Sequence, residues 1–256
     1  MDQQPERIAP IQSVERAIWI LQCIERHREL HINEISELLQ INKSTVTGLI
    51  RTLQAYKLVA KNPQTGKYAL GHELFRLGSS VETDLRSLVK PYMDQLSDEF
   101  HETVNFMLYD GDAVLRLVKL ESLYSLQNAT KVGQRQPLHL SSGGKAILAT
   151  FPDAKVRSIL ENTEFVRYTE NTLVTVKQVM AEVEQIRKDG YAIDNEETER
   201  GLVCIGVAIC SNGQAIGSLT VSGPTFRING TQAQRIVSSL KKYRLEIESR
   251  LTASDF

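Results

Sequence analysis

Two groups of residues have types and spacings that could do chemistry. The first is a set of hydroxyls and cations, Lys43, Ser44, Thr45, Thr47 and Arg51, all within one predicted helix. Steps of three and four put Ser44, Thr47, Gly48 and Arg51 on one face of that helix. Small hydroxylated side chains reach base edges and phosphates without crowding the approach, and cations hold phosphate oxygens. Lys61 and Lys67 follow on a predicted hairpin and are expected near a nucleic-acid backbone.

The second group is His139, Cys204 and Asp194, with Glu196, Glu197 and Glu199 beside the last. A hydrolase would set a nucleophile next to a base and an oxyanion site. Neither a Gly-x-Ser-x-Gly element nor a His-Glu-x-x-His motif occurs. Cys204 lies in an apolar strand and reads as core rather than as a reactive thiol. His139 has no second histidine at ligand spacing and reads as a packing residue. The acids read as a solvated loop, with Asp194 the exception. Gly143-Gly144-Lys145 is not a phosphate loop, because the glycine required five positions before Gly144 is His139. The expectation is a binding protein, with no catalytic residue, metal or cofactor.

The elements that position the first group are legible from periodicity. Ser13 is expected to cap a helix whose face is Val14, Ala17, Ile18, Leu21 and Ile24. Asn33 is expected to cap a short second helix, with Glu34 and Glu37 near its start. Gln40-Ile41-Asn42 is a tight turn, and Asn42 caps the third helix, which buries Val46, Leu49, Ile50 and Leu53. Two short helices joined by three residues form a helix-turn-helix, whose second helix meets base edges in the major groove. Leu58–Lys61 and Lys67–Leu70 flank Asn62-Pro63-Gln64-Thr65-Gly66, a hairpin of the kind called a wing.

Gly71 to Val81 reads as a linker helix, followed by a second helix through Leu85 to Leu96 in which Pro91 marks a kink or break. Thr103–Tyr109 and Ala113–Leu120 flank Asp110-Gly111, and Val203–Cys210 and Ala215–Ser222 flank Asn212-Gly213, both hairpin signals. Helices are expected around Ala146–Leu148, Val156–Leu160, Val176 to Gly190 and Thr231–Leu251. Antiparallel strands with flanking helices make an α+β domain.

Length and charge agree. A chain of 256 residues suggests two domains. Net charge is only -1, yet no acid lies between Glu37 and Glu73, where Lys43, Arg51, Lys57, Lys61 and Lys67 cluster. One basic surface on a near-neutral protein suits contact with DNA. Three cysteines, Cys23, Cys204 and Cys210, form no disulfide framework or CxxC pair and fit a reducing cytoplasm. The first residues carry no signal-like basic and apolar regions, and no apolar run is long enough to span a membrane.

Taken in order, certain segments resemble the IclR (isocitrate lyase regulator) family of bacterial transcription regulators. They are Ser13-Val14-Glu15-Arg16-Ala17, Glu34-Ile35-Ser36, Lys43-Ser44-Thr45-Val46, Tyr68-Ala69-Leu70-Gly71, Pro137-Leu138-His139, Gly144 to Ala149, and Gly190 to Glu197 continuing through Gly201 to Ile205. The resemblance runs from Ser13 to about Arg227. It implies a winged helix-turn-helix domain over residues 1–72, a linker helix over 73–82, and a GAF-like α+β effector-binding domain over 83–256. It further implies a homodimer or homotetramer on a pseudo-palindromic DNA operator, with a small organic acid, sugar acid or aromatic compound as effector. By this similarity the effector pocket draws on Ser142, Gly143, Asp194, Leu202, Cys204, Thr220 and Ser222. Backbone N–H groups at Ser142 and Gly143, near a predicted helix start, suit a carboxylate. Thr220 and Ser222 share one face of a strand. The chain departs from the pattern at Gly48, where many members carry arginine, and at Leu140-Ser141-Ser142-Gly143-Gly144, where Ser142 adds a hydroxyl.

Overall fold

The computed structural model describes residues 10–79, 83–125 and 130–253. The chain divides into two compact units at residues 83 and 84. In the first, α1 (Gln12–His27), α2 (Ile32–Leu39) and α3 (Lys43–Ala55) pack around Ile20, Ile24, Ile35, Val46 and Ile50, none more than 1% exposed. A three-stranded antiparallel sheet closes this core, in the order β1 (Glu29–Leu30), β3 (Tyr68–Leu70), β2 (Val59–Lys61). The strand β1 has two residues, too few to show a period in the sequence. Helix α4 (His72–Ser79) follows, and residues 80–82, the end of the expected linker helix, lie outside the described residues.

Three local expectations are corrected. Ile11, not Ser13, is the N-cap of α1, and Val14 and Ile18 on its expected core face are exposed. Helix α2 begins one residue before Asn33. His31 is its N-cap, and the backbone N–H of His31 donates to Glu34 Oε2 at 2.6 Å. Pro91 makes no break: α5 (Thr83–Phe100) runs through it. Proline removes one backbone donor, but Val89, Tyr92, Met93 and Leu96 on the same helix are fully packed in the core, and that burial holds the helix together.

The second unit is built on a six-stranded antiparallel sheet. The strands are β4 (Thr103–Asp110), β5 (Ala113–Leu120), β6 (Arg135–Pro137), β7 (Ala192–Asn195), β8 (Leu202–Ser211) and β9 (Gln214–Pro224), in the order β6-β5-β4-β9-β8-β7. The two long hairpins fall where they were expected. At the second, Asn212 and Gly213 both have positive φ, 50° and 77°, the conformation a two-residue hairpin turn demands. The short edge strands β6 and β7 were not anticipated.

Alternation divides the sheet into two faces. Val104, Phe106, Val203, Ile205, Val207, Leu219 and Val221 point to one face and pack under α5 and α9 (Gly230–Ala253), against Met93, Leu96, Ile236 and Leu240. The residues between them point to the other face. There α6 (Ser142–Leu148), α7 (Asp153–Glu161) and α8 (Val176–Asp189) cover only part of the sheet, around Ile147, Leu160, Val179 and Val183. The start of α6 lies so close to β8 that a Cβ on Gly206 would stand 2.9 Å from Thr220 Cγ2 and 3.0 Å from the backbone nitrogen of Gly143. Gly48, in the middle of α3, is the opposite case, with open space around a built Cβ.

The two glycines therefore give substitutions of opposite sign. Gly48→Ala should stabilise the first unit by about 1 kcal/mol, the helix-propensity difference. Gly206→Ala should destabilise the second by about 1–3 kcal/mol through overpacking. Urea denaturation of both variants checks this, and equal or reversed signs would contradict the packing described.

Candidate functional site

The first candidate surface is the outer face of α3 with the β2–β3 hairpin. Lys43, Ser44, Gly48 and Arg51 are exposed, and Thr45 and Thr47 are half-buried. The Thr47 hydroxyl donates to the Lys43 carbonyl at 2.7 Å, which leaves its oxygen lone pairs as acceptors. The turn between α2 and α3 closes through Gln40, at φ 52°, which lets α3 leave at an angle with this face turned out. In the hairpin, Asn62 Oδ1 accepts from the backbone N–H of Gln64 at 2.9 Å and fixes the tip. Lys61 is exposed and stands 5.7 Å from the Tyr68 ring centroid. Lys67 is 3.9 Å from Glu29 Oε1. The acid-free stretch of sequence is thus not acid-free in space, because β1 brings Glu29 beside the wing. At this exposure such a pair is worth little and leaves Lys67 available to a phosphate.

The second candidate is a cavity of about 270 Å³ on the sheet face that α6 leaves uncovered. Six of the expected residues line it: Ser142, Asp194, Leu202, Cys204, Thr220 and Ser222. The register explains the convergence. Asp194, Cys204 and Ser222 stand in one row across β7, β8 and β9, and Thr220 is paired with Asn105 in the next row. Gly143 is not among the lining residues; it is pressed against Met107, Ser218 and Thr220. The Ser142 hydroxyl is buried and has no hydrogen-bond partner among the described residues.

Several lining residues carried no sequence signal. Arg116 is 5% exposed, in the middle of β5. Its Nε donates to Asn105 Oδ1 at 3.0 Å, and its Nη1 to Gln134 Oε1 at 3.3 Å. Asn105 in turn donates to Thr220 Oγ1 at 3.4 Å. No carboxylate among the described residues pairs with Arg116, and burial lowers its pKa from the ordinary arginine value. At the opposite wall, Asp194 is held by the backbone N–H of Glu197 at 2.8 Å and by the Thr198 hydroxyl at 2.9 Å. Burial raises the Asp194 carboxyl, and those hydrogen bonds pull part of the shift back.

Behind the cavity lies a buried ion pair. Lys145 of α6 is fully buried, and its Nζ is 2.5 Å from Glu197 Oε1 and 3.4 Å from Glu182 Oε1. Glu197 is 7% exposed, so the reading of the acids as a solvated loop is corrected at this position, while Asp194, set apart from that loop by the sequence, is buried too. Thr169 and Thr172 donate to the carbonyls of Glu196 and Glu197, both at 2.6 Å, and tie the loop that follows β7 to the loop before α8. Lys145 is thus committed to carboxylates. His139 packs on Phe165 with ring centroids 4.7 Å apart, and burial and the nearby Lys145 push it down to about 4, so it is neutral. Burial, then the Asp194 carboxylate, push the Cys204 thiol up, which leaves it protonated and unreactive. No group of three or more metal-ligating side chains occurs among the described residues.

Comparison with known proteins now decides the family. Residues 79–249 match the family described as bacterial transcriptional regulator IclR C-terminal, and residues 13–63 match the IclR helix-turn-helix domain. The chain belongs to the IclR family. It is 32% identical over 259 aligned residues to the HTH-type transcriptional regulator KdgR of Escherichia coli (strain K12), covering 100% of this chain and 97% of that protein. Among solved structures it resembles the Thermotoga maritima IclR, with 26% identity, a TM-score of 0.73, and 94% and 97% of the two chains covered. It also shares the fold of an IclR homolog from Microbacterium hydrocarbonoxydans complexed with 4-hydroxybenzoate, at 22% identity and a TM-score of 0.82, covering 94% and 100%. IclR-family membership makes the chain a DNA-binding transcription regulator, not an enzyme. Among the described residues no helix is long and apolar enough to cross a membrane.

Two expectations test the buried polar cluster. Lys145→Met strands Glu197 and should cost about 3–5 kcal/mol, whereas replacing both partners by apolar residues should recover most of that loss. Chemical denaturation of the single and double variants measures this; a single variant as stable as the parent would contradict the pairing. His139 sits below its unfolded value of about 6.5, so the unfolded chain binds its proton first. Its contribution is present above that pH and is lost as pH falls toward 4. Relative to His139→Phe, the parent should therefore lose stability over that window, and parallel pH profiles would refute the assignment.

Proposed function

We propose that this regulator controls a catabolic operon by binding a pseudo-palindromic operator as a dimer or dimer of dimers. A small organic acid, sugar acid or aromatic effector sets its activity. Lys43, Ser44, Thr45, Thr47 and Arg51 contact DNA from the outer face of α3, and Lys61 and Lys67 hold phosphates from the wing. Residues 1–72 form the reading domain, 73–82 the connection and 83–256 the sensing domain. Ser142, Asp194, Leu202, Cys204, Thr220 and Ser222 contact the effector, while Gly143 lets α6 start close against Met107, Ser218 and Thr220.

The observation that carries the effector half is the polar cavity itself. A sheet face next to a core is ordinarily filled with apolar side chains. Here Asn105, Thr220, Ser222 and Asp194 occupy it, each at most 2% exposed, around an open space. Burying polar groups costs stability unless something satisfies them, and pockets with a few convergent polar groups are the usual small-molecule sites. The solved IclR homolog with 4-hydroxybenzoate supports a small-molecule ligand in this fold. An effector alters transcription only if it binds the DNA-competent and incompetent states unequally.

The test is fluorescence anisotropy of the full chain on DNA from its own upstream region, with and without a panel of acids and neutral sugars. A selective change in DNA affinity supports the reading, and no change with any compound refutes the effector half. Arg51→Ala should weaken DNA binding by about 1–3 kcal/mol, and an unchanged dissociation constant would remove Arg51 from the reading face.

A further inference from the structure

The cavity has a polarity of its own, and it bears on which compounds can enter. Arg116 and Asp194 come from β5 and β7, four strand steps apart in the sheet order. Four steps of ~4.8 Å put their backbones roughly 19 Å apart along the sheet. Both nevertheless line one small cavity, so they approach it from opposite sides, with the Asn105, Thr220, Ser222 and Cys204 side chains on the strands between.

The two sides differ in what they lack. The Asp194 oxygens already accept hydrogen bonds from the Glu197 backbone and from Thr198. The guanidinium of Arg116 is positive and 5% exposed. It bonds only to neutral oxygens, those of Asn105, Gln134 and the Lys131 carbonyl among the described residues, and its Nη2 bonds to none of them. A buried cation with no counter-charge is costly, and a carboxylate is the group its forked donors fit. The walls between carry hydroxyls and amides, including Thr130, Gln136 and Thr198, and two charged residues, Glu199 and Arg135, of which Arg135 is exposed and already paired with Asp110 and Asp112. Met107, Pro137, Leu140 and Leu202 supply the aliphatic surface, and the lining's one aromatic ring among the described residues, Tyr168, is 56% exposed. A flat aromatic ligand finds no apolar slot there, whereas a chain of hydroxyls finds a partner at each step.

We propose that Arg116, supported by Asn105, is the carboxylate anchor of the cavity and selects a hydroxylated aliphatic acid over an aromatic acid or a neutral sugar. This rests on the reading of the cavity as the effector site. The acid lays its carboxylate on Arg116 and its hydroxyls along Thr220 and Ser222 toward Asp194. Nothing in the family resemblance names Arg116.

The experiment is a thermal-shift and calorimetric titration of the full chain with glycolate, D-glycerate, D-gluconate, D-glucose and 4-hydroxybenzoate. The chains compared are the parent, Arg116→Met and Arg116→Lys. At least one hydroxy acid should stabilise the parent, more than D-glucose or 4-hydroxybenzoate does. Arg116→Met should weaken that acid by about tenfold or more, the worth of a hydrogen bond to a charged group. Arg116→Lys should fall between, since it keeps the charge and loses the fork. DNA binding without acid should be the same in all three chains. If D-glucose binds best, or if Arg116→Met leaves the affinity for the acid unchanged, the effector reading stands and the anchor is wrong; if 4-hydroxybenzoate binds best, the proposed selectivity is overturned. If no compound binds and none alters DNA affinity, both fall. If Arg116→Met loses DNA binding without acid, the arginine is a structural residue and the proposal is overturned.

Discussion

Strand alternation is the constraint on which the second unit depends. β4, β8 and β9 must give every second residue to the core under α5 and α9, where Phe106, Ile205, Val207, Leu219 and Val221 are buried to completion. The residues between are then committed to the other face, whatever their chemistry. On that face α6 covers one end, and Gly206 lets it settle almost onto the strand. The other end is left to Asn105, Cys204, Thr220 and Ser222. The apolar core thus holds the cavity open and fixes its polar floor with the rigidity of a sheet, which is the kind of support a binding constellation needs.

The polar groups behind the floor extend that rigidity to the loops. Glu197 is pinned by Lys145, its N–H is given to Asp194, and its carbonyl is taken by Thr172. A buried ion pair of this kind is weak evidence for stability, since desolvation offsets most of the attraction. What it provides here is position, because it joins α6, which carries Ser142, to the loop after β7, which carries Thr198 and holds Asp194. The reading unit needs no such device. Its third helix sits on a three-helix core, and the outer face of that helix carries exposed Lys43, Ser44 and Arg51.

Much of this was legible from residues alone. The helix-turn-helix needed only the apolar steps Val46, Ile50 and Leu53 and the turn at Gln40. The long hairpins announced themselves through Asp110-Gly111 and Asn212-Gly213. The failures have physical causes. β1, β6 and β7 are two to four residues long, too short to show a period of two. Val14 and Ile18 obey helical spacing yet face outward, since periodicity identifies an apolar stripe without saying what covers it. Pro91 was outweighed by the packing of its neighbours. Glu197 reads as one acid in an acidic loop because its partner Lys145 is 52 residues away. Arg116 reads as an ordinary strand residue between Leu115 and Leu117, because only the sheet register turns it toward the cavity.

The central claim is that the polar half of one sheet face is a ligand site. Hydrogen–deuterium exchange of the full chain, with and without saturating D-gluconate, tests it where it stands. The account predicts slowed exchange in β4, β5, β8, β9 and the loop from Asp194 to Leu202, with the α5–α9 face unchanged. Protection confined to other segments would place the ligand elsewhere and contradict the account.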